Sequence, residues 1–383
     1  MSLFQARIKE VQSFLSNKDI VLGYRKLMDC AMDTQDMAIY NQMIHLTDWK
    51  ENHPEDVDGL VEKAQSIIEN LKRISVQENS SQDAVIEATE ITKTYNNNGF
   101  KLGPVSLSIK KGNVYGLVGE NGNGKTTLLR ILAKELEPSS GSMTYRLDNQ
   151  VKGDFKLRTQ LVYIPQRTAT WYGSLKDNLK FVLSSYGVPA DENETRVLMM
   201  IARLGLWNYK HLKWSELSSG YKMRFELART LLRQPELLLL DEPLANLDVN
   251  AQQVILEDLK SICNSINNPI ALILSSQQLY EVEKVSDKVI FLKNGQYTDN
   301  SDSEVAVNHQ LIIEIDTTAT REELLAVFKP MDLEKLIYNG GVFMVYFKPT
   351  VAFYSVMTAL GSHQVPVTYL RNISNSTRRF FIS

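Results

Sequence analysis

The stretch "GLVGENGNGKTTLLRILA", residues 116–133, decides the fold. Gly119, Gly124, Lys125 and Thr126 have the spacing of a phosphate-binding loop, and the flanking residues predict the strand before it and the helix after it that such a loop requires. The glycines allow backbone N–H groups to turn towards phosphate oxygens, and the amino terminus of the helix attracts the same anion. The stretch therefore predicts a nucleotide-binding α/β fold.

This loop also supplies most of the candidate ligands. We expect Lys125 to neutralise the β- and γ-phosphates and to assist catalysis, and the Thr126 hydroxyl is a hard oxygen donor that suits Mg²⁺. The residues predicted to contact the nucleotide here are Gly119, Glu120, Asn121, Gly122, Asn123, Gly124, Lys125, Thr126 and Thr127.

A pair of acidic residues follows a second apolar run. In "LLLLDEPLANLD", residues 237–248, four leucines predict a buried strand that ends at Asp241 and Glu242. A carboxylate at a strand end beside a phosphate loop can hold Mg²⁺, and a second one can orient or deprotonate the attacking water. We assign the first role to Asp241 and the second to Glu242.

The segment "ELSSGYKMRFELARTLLRQPELLLLDEP", residues 216–243, resembles the signature segment of ABC-type ATPases followed by their acidic strand. The resemblance covers roughly residues 85–298. It implies a P-loop ATPase of ABC type with a helical signature subdomain, ATP and Mg²⁺ as cofactors, and hydrolysis of ATP. The elements that match in order are Tyr95, the phosphate loop, Gln166 in "YIPQ", the signature Leu217-Ser218-Ser219-Gly220-Tyr221, the acidic pair, and Asp248 at the end of "LANLD".

The resemblance also assigns roles to residues. Tyr95 is expected to stack on adenine, and Gln166 to reach Mg²⁺ and the attacking water. Ser218 and Gly220 are expected to bind the γ-phosphate held by a second copy. Because the sequence contains one phosphate loop and one signature, a productive site requires another chain, either in a homodimer or in a heterodimer with a related ATPase.

The sequence departs from the family pattern at three positions. Ser219 stands where glycine is usual, Tyr221 where glutamine is usual, and Gln277 where a histidine is usual, in "SSQ" instead of "SSH". A glutamine amide can donate one neutral hydrogen bond to a phosphate, but it cannot become cationic as imidazole can. We therefore expect Gln277 to take the catalytic position with a lower rate of hydrolysis; the alternative is that the change has no effect because Glu242 suffices.

The chain is expected to contain three domains: a small all-α domain at residues 1–75, the ATP-binding domain at 84–300, and a ferredoxin-like α+β domain at 308–383. The clearest amphipathic stripe in the first domain predicts a helix whose apolar face packs in the domain's own core or, as the alternative, binds a partner. That stripe consists of Leu60, Val61, Ala64, Ile67, Ile68 and Leu71. In the third domain, the order β-α-β-β-α-β predicts the ferredoxin-like arrangement.

Composition limits the class of partner and the compartment. The net charge of −3 over 383 residues gives no reason to expect nucleic acid as a partner. Cys30 and Cys263 have neither disulfide-framework nor metal-site spacing, which fits a reducing cytoplasm. No apolar run is long enough to cross a membrane. We therefore expect a cytoplasmic protein, and the transporter role that the resemblance implies would place it on the cytoplasmic face of the membrane.

Two functions from different classes remain open. One is the ATPase subunit of an ABC transporter, of exporter type, that drives polytopic membrane permease subunits. The other is a soluble ABC ATPase that acts on ribosomes or DNA. Trp171 and Tyr172 either line a groove for the permease or pack in a local core. Arg371, Arg378 and Arg379 form either a basic patch for lipid or nucleic acid or a solvated tail.

Overall fold

A computed structural model describes residues 1–79, 83–95, 99–147, 157, 159–277, 279–299, 310–339 and 341–374. The chain divides into two compact units, residues 1–297 and 298–383. The amino-terminal helices, expected as a separate domain, therefore share a unit with the ATP-binding fold. The reason is that their apolar side chains belong to the same buried cluster as those of the following fold.

The chain begins with four helices. Each of the last three has an aspartate at its amino-terminal cap, whose carboxylate accepts a backbone N–H of the first turn and so stabilises the helix start. The apolar stripe of the fourth helix faces inward, with all its members buried except Val61, which is half-buried. The helices are α1 (Leu3–Ser16), α2 (Ile20–Thr34), α3 (Met37–Asn52) and α4 (Val57–Leu71).

Two sheets follow. A six-stranded sheet has the order β5-β6-β7-β3-β8-β9, and its first five strands pair in parallel. A three-stranded antiparallel sheet has the order β2-β1-β4. The strands are β1 (Ala84–Thr94), β2 (Lys101–Lys110), β3 (Val114–Val118), β4 (Ser140–Tyr145), β5 (Leu161–Ile164), β6 (Leu237–Leu240), β7 (Ala271–Ser276), β8 (Lys288–Lys293) and β9 (Gln296–Asp299).

Helices surround the parallel sheet and fill one long insertion. Helix α5 follows β3, and three helices lie between β5 and β6, where the resemblance predicts the signature subdomain. The helices of this part are α5 (Lys125–Leu132), α6 (Leu175–Ser185), α7 (Ala190–Arg203), α8 (Ser219–Leu231), α9 (Val249–Cys263) and α10 (Leu279–Val285). Because parallel strands end at one edge of the sheet, this topology brings the ends of β3, β6 and β7 together.

The second unit is a four-stranded antiparallel sheet with two helices against one face. Its strand order, β11-β12-β10-β13, is that of a ferredoxin-like unit. Arg371 pairs in register with Glu314 on the neighbouring strand, whereas Arg378 and Arg379 lie outside the described residues. Its elements are β10 (Leu311–Thr317), α11 (Arg321–Phe328), β11 (Leu333–Asn339), β12 (Val342–Phe347), α12 (Phe353–Ser362) and β13 (Val367–Asn372).

Candidate functional site

The phosphate loop joins β3 to α5, as predicted. All five residues of β3 are buried, which fixes the start of the loop. A Cβ at Gly119 would lie 2.4 Å from the Leu292 carbonyl oxygen, so this position requires glycine for its close approach to β8. Gly122 and Gly124 have φ angles of 84° and 99°, which only glycine adopts without strain.

The Lys125 ammonium is buried inside the loop. Its Nζ donates to the carbonyl oxygens of Gly119 and Glu120, at 2.7 and 3.2 Å, and lies 3.4 Å from Glu242 Oε1. The loop backbone thus orients the lysine, and the cation stands next to the acidic residue predicted to activate water.

Asp241 forms the centre of a second group of contacts. Its Oδ2 accepts hydrogen bonds from Thr126 Oγ1 at 2.8 Å and from the Tyr163 hydroxyl at 3.2 Å. Its Oδ1 accepts from Ser275 Oγ at 2.8 Å. Burial and the nearby Asp241 carboxylate raise the pKa of Tyr163, which keeps its hydroxyl protonated as a donor. Thr126 and Asp241 therefore present hard oxygens of the kind that Mg²⁺ prefers.

Glu242 is held by two glutamines from different elements. Gln166 Nε2 donates to its Oε2 at 3.0 Å, and Gln277 Nε2 lies 3.0 Å from Oε1 and 2.9 Å from Oε2. Ser275 Oγ accepts the backbone N–H of Glu242 at 2.8 Å. The φ of Glu242 is 48°, a strained conformation for a residue with a side chain. The carboxylate is therefore fixed from several sides.

The phosphate loop, Glu242 and its two glutamines open into one cavity of about 650 Å³, and Asp241 lies behind Thr126, outside the lining. It is lined by Tyr95, Phe100, Asn121, Gly122, Gly124, Lys125, Thr126, Thr127, Gln166, Glu242 and Gln277. Most of the residues predicted to contact the nucleotide thus face the same space. The Tyr95 ring is 38% exposed, so a flat base can reach it.

Some predicted contacts take other roles within the loop. Asn123 is buried, and its side chain donates to the Leu292 carbonyl at 3.2 Å and accepts the Asn294 backbone N–H at 3.1 Å. It therefore joins the phosphate loop to β8. Gly119 and Glu120 provide the carbonyls that bind Lys125.

Sequence reasoning missed three residues of the site. Phe100 lines the cavity beside Gly124, and the contacts of Tyr163 and Ser275 with Asp241 complete the acidic cluster. Ser275 stands two residues before Gln277 in "SSQ", at the end of a buried strand, and this position was a signal that could have identified it. Gln278 lies outside the described residues.

The signature residues do not join the cavity of their own chain. Ser218 is exposed at the amino-terminal cap of α8, and Gly220, near Ala251, lies in that helix's first turn. Asp248 caps α9 by accepting the Ala251 backbone N–H at 2.9 Å. Ser218, Gly220 and Asp248 are described, yet none of them belongs to the cavity lining.

Two departures from the family pattern have structural partners. Ser219 Oγ donates to the Asn246 carbonyl at 3.0 Å, which joins the start of α8 to the segment before α9. The Tyr221 ring lies 3.8 Å from that of Tyr209, centre to centre. The Tyr209 hydroxyl raises the pKa of the Tyr221 hydroxyl, and burial contributes. Tyr221 therefore packs within the insertion, against the segment between α7 and α8.

Trp171 and Tyr172 have different environments. Trp171 Nε1 donates to Glu226 Oε1 at 2.7 Å, and its ring packs edge-on against Phe225. Tyr172 is 88% exposed. The local-core interpretation therefore applies to Trp171. Of the two residues, it is Tyr172 that exposes its ring to a partner.

Comparisons with known proteins agree on one family. A family model described as ABC transporter matches residues 102–245. The ABC transporter ATP-binding protein NatA of Bacillus subtilis is 30% identical over 194 residues, which are 50% of this chain and 78% of NatA. The cbiO1 protein from Clostridium perfringens, described as part of the ABC transporter complex cbiONQ, has 27% identity and a TM-score of 0.52 over 58% of this chain and 93% of its own.

Another relative is matched over only part of its length. The spermidine/putrescine import ATP-binding protein PotA of Mycoplasma mycoides subsp. mycoides SC is 32% identical over 215 residues, which are 56% of this chain and 60% of PotA. Six of eight similar curated proteins have the word import in their names. The expectation of an exporter finds no support in these comparisons.

Proposed function

Because the chain belongs to the ABC transporter family, among its ATP-binding proteins, we propose that it is a Mg²⁺-dependent ATPase subunit that drives separate membrane permease subunits. The observation that carries this proposal is the position of Glu242. Its carboxylate lies at the cavity, 3.4 Å from the Lys125 ammonium, and two glutamine amides orient it.

The residues around the cavity divide the work of hydrolysis. Tyr95 offers a ring for the base, and Lys125 with the loop N–H groups binds the phosphates. Thr126 and Asp241 would hold Mg²⁺, which neutralises charge on the phosphates. Glu242 takes a proton from the attacking water, and Gln166 and Gln277 hold its carboxylate at the required place.

The signature supports a dimer. Ser218 is exposed at the amino terminus of a 13-residue helix, where backbone N–H groups favour an anion. Because this helix start does not line the cavity of its own chain, we propose that it binds the phosphate held by a second chain. The second chain is a copy of this one or a related ATPase.

The transporter role and the location at the membrane rest on the relatives. Curated relatives are named as import or transport ATP-binding proteins, which favours a permease partner over ribosomes or DNA. None of the helices in the described ranges is both long and apolar enough to cross a membrane. From the names of these relatives, we propose a peripheral location on the cytoplasmic face of the membrane, through a polytopic partner.

Two measurements test the proposal. Glu242→Gln should lower ATP turnover by a factor of roughly 10² or more, because the amide cannot accept the proton from water. The affinity for ATP should stay unchanged. Glu62→Gln, at an exposed glutamate on α4, is the control and should keep its turnover. The chain purified from native membranes should bring a polytopic protein with it. Turnover that survives Glu242→Gln would overturn the catalytic assignment, and a chain recovered with ribosomes at low salt would overturn the transporter assignment.

A further inference from the structure

Arg203 joins three helices at a buried point far along the chain from the phosphate loop. It is the last residue of α7, in the insertion, and its side chain is 1% exposed. Its Nε donates to Asp29 Oδ1 of α2 at 2.5 Å, and its Nη1 donates to Asp258 Oδ1 of α9 at 2.7 Å. Ser261 of α9 donates to the other oxygen of Asp29.

The buried guanidinium of Arg203 is charged, and its two aspartate partners fix its orientation. Burial alone would lower the pKa of Arg203, but Asp29 and Asp258 outweigh it and raise that pKa, so the guanidinium stays charged. A buried ion pair contributes little net stability compared with apolar packing, because its ions lose their hydration. A planar guanidinium with fixed donor directions does define how its partners are oriented. The contact is thus better suited to orientation than to stability.

Several polar contacts join α2 to α9: besides Asp29, Arg25 of α2 pairs with Glu257 and Asp258 of α9. A cavity of about 520 Å³ is lined by residues of both helices, including Asp29 and Leu256. A second cavity, of about 110 Å³, is lined by residues of α2, α7 and α9, including Arg203. Asp29 lines both cavities, where apolar packing is interrupted, so the polar contacts contribute to how α2 is held against α9.

Two of these three helices, α7 and α9, are also tied to the signature helix. Arg224 of α8 donates to the carbonyl of Leu204, the residue that follows Arg203, at 3.2 Å. Ser219, in the signature, donates to the carbonyl of Asn246. Asn246 lies two residues before Asp248, the amino-terminal cap of α9. A change at Arg203 can therefore reach the middle of α8 through the end of α7, and the start of α8 through the segment before α9.

We propose that Arg203, with Asp29 and Asp258, is a positioning cluster through which the amino-terminal helices set the orientation of the signature helix. This inference rests on the proposed function, because it assumes that Ser218 and Gly220 meet the phosphate of a second chain. The cluster lies outside the ATP cavity, so it acts on the geometry of the composite site and not on the binding of ATP to one chain.

The test compares two aspartates one turn apart on α2. Asp29 contacts both the insertion and α9. Asp33 contacts Arg7 of α1, 3.3 Å from its Oδ2, and the segment after α9, where its Oδ1 accepts hydrogen bonds from Ser265 Oγ at 2.6 Å and the Ile266 N–H at 3.0 Å. Both side chains are buried or nearly so, which makes Asp33→Asn a matched control for Asp29→Asn.

In the full-length protein, Asp29→Asn should lower kcat for ATP about tenfold, because a displaced group far from the chemistry impairs the aligned site. Its affinity for a fluorescent ATP analogue, measured on the single chain, should change by less than about twofold. Asp33→Asn should keep kcat and affinity, and Asp258→Asn should match Asp29→Asn. Thermal unfolding of each variant shows that the protein is folded.

Several outcomes would overturn the proposal. Equal losses of kcat in Asp29→Asn and Asp33→Asn would show that the aspartates only attach the helices. An unchanged kcat in both Asp29→Asn and Asp29→Ala, with a wild-type protein that hydrolyses ATP, would exclude a positioning role. A wild-type protein that binds no ATP would instead contradict the proposed function, so the two failures are distinguishable.

Discussion

The amide of Gln277 lies within hydrogen-bond distance of both carboxylate oxygens of Glu242, at 3.0 and 2.9 Å. The residue that departs from the family pattern therefore orients the proposed general base directly. The family resemblance implies that the residue at this position contacts the γ-phosphate and helps to hold Glu242, and in the structure the Gln277 amide lies against the Glu242 carboxylate.

Replacement of Gln277 should show what the amide supplies. Gln277→His is expected to raise kcat on the order of tenfold, since an imidazolium donates a charge-assisted bond to the phosphate while the amide donates a neutral one. Gln277→Ala should lower kcat, because Glu242 loses one of its amide donors. ATP turnover of the protein purified with its membrane partner checks both. Gln65→His, at an exposed glutamine bonded to Glu69, is the matched control. An equal or lower kcat for Gln277→His would contradict the expectation.

Ser275 should support both acidic residues. Its hydroxyl is fully buried, donates to Asp241 and accepts the N–H of Glu242. Ser275→Ala leaves two buried polar groups without this partner, which costs about 1–3 kcal/mol for each unsatisfied group. We expect lower stability in urea unfolding and lower ATP turnover.

A second buried hydroxyl separates the two effects of Ser275→Ala. Thr47 Oγ1 donates to the Met43 carbonyl and bonds to the Tyr24 hydroxyl, each at 2.7 Å, far along the chain from the cavity residues. Thr47→Val should therefore lower stability and leave turnover unchanged. If both variants lose turnover in proportion to stability, Ser275 has no special effect on the site.

Two glycines of the phosphate loop should differ in their tolerance of a methyl group. In Gly119→Ala, the new Cβ would meet the Leu292 carbonyl oxygen at 2.4 Å, so the loop must leave β8 and ATP affinity should fall about a hundredfold. In Gly122→Ala, the described part of the chain places no atom within 4 Å of the Cβ. Only the left-handed backbone is then strained, by about 1–2 kcal/mol. Calorimetric titration with ATP measures the affinity of both variants. A larger loss of ATP affinity in Gly122→Ala than in Gly119→Ala would contradict the prediction.

The two cysteines should be unreactive in the folded protein. Burial, together with Asp33 and Asp29, raises the pKa of Cys30 to about 12, and burial raises the pKa of Cys263. A raised pKa leaves the thiol protonated at pH 8, and the thiolate is the reactive form. A chromogenic disulfide reagent should label neither thiol in native protein at pH 8 and both in denaturant. Cys263→Ser assigns any signal to Cys30, and rapid labelling in the native state would refute the prediction.

The sequence by itself determined the elements that depend on local spacing. The phosphate loop needs its glycines, Lys125 and Thr126 within a few residues, and the flanking periodicity predicts the strand and helix that it joins. The acidic pair at Asp241 and Glu242 could also be predicted from the sequence, because the pair directly follows a run of four leucines. These motifs carry their chemistry in consecutive residues, so neither needs tertiary information.

Only the tertiary structure decided which distant residues meet. Ser275 and Tyr163 reach Asp241 because parallel strands end at one edge of the sheet, and sequence spacing does not encode this contact. The placement of the amino-terminal helices was also decided by the tertiary structure. Their apolar stripes predicted a separate domain core, whereas in the structure Asp29 of α2 bonds to Arg203, 174 residues away along the chain. Amphipathic periodicity shows that a face will be buried, but the partner depends on how the whole chain packs.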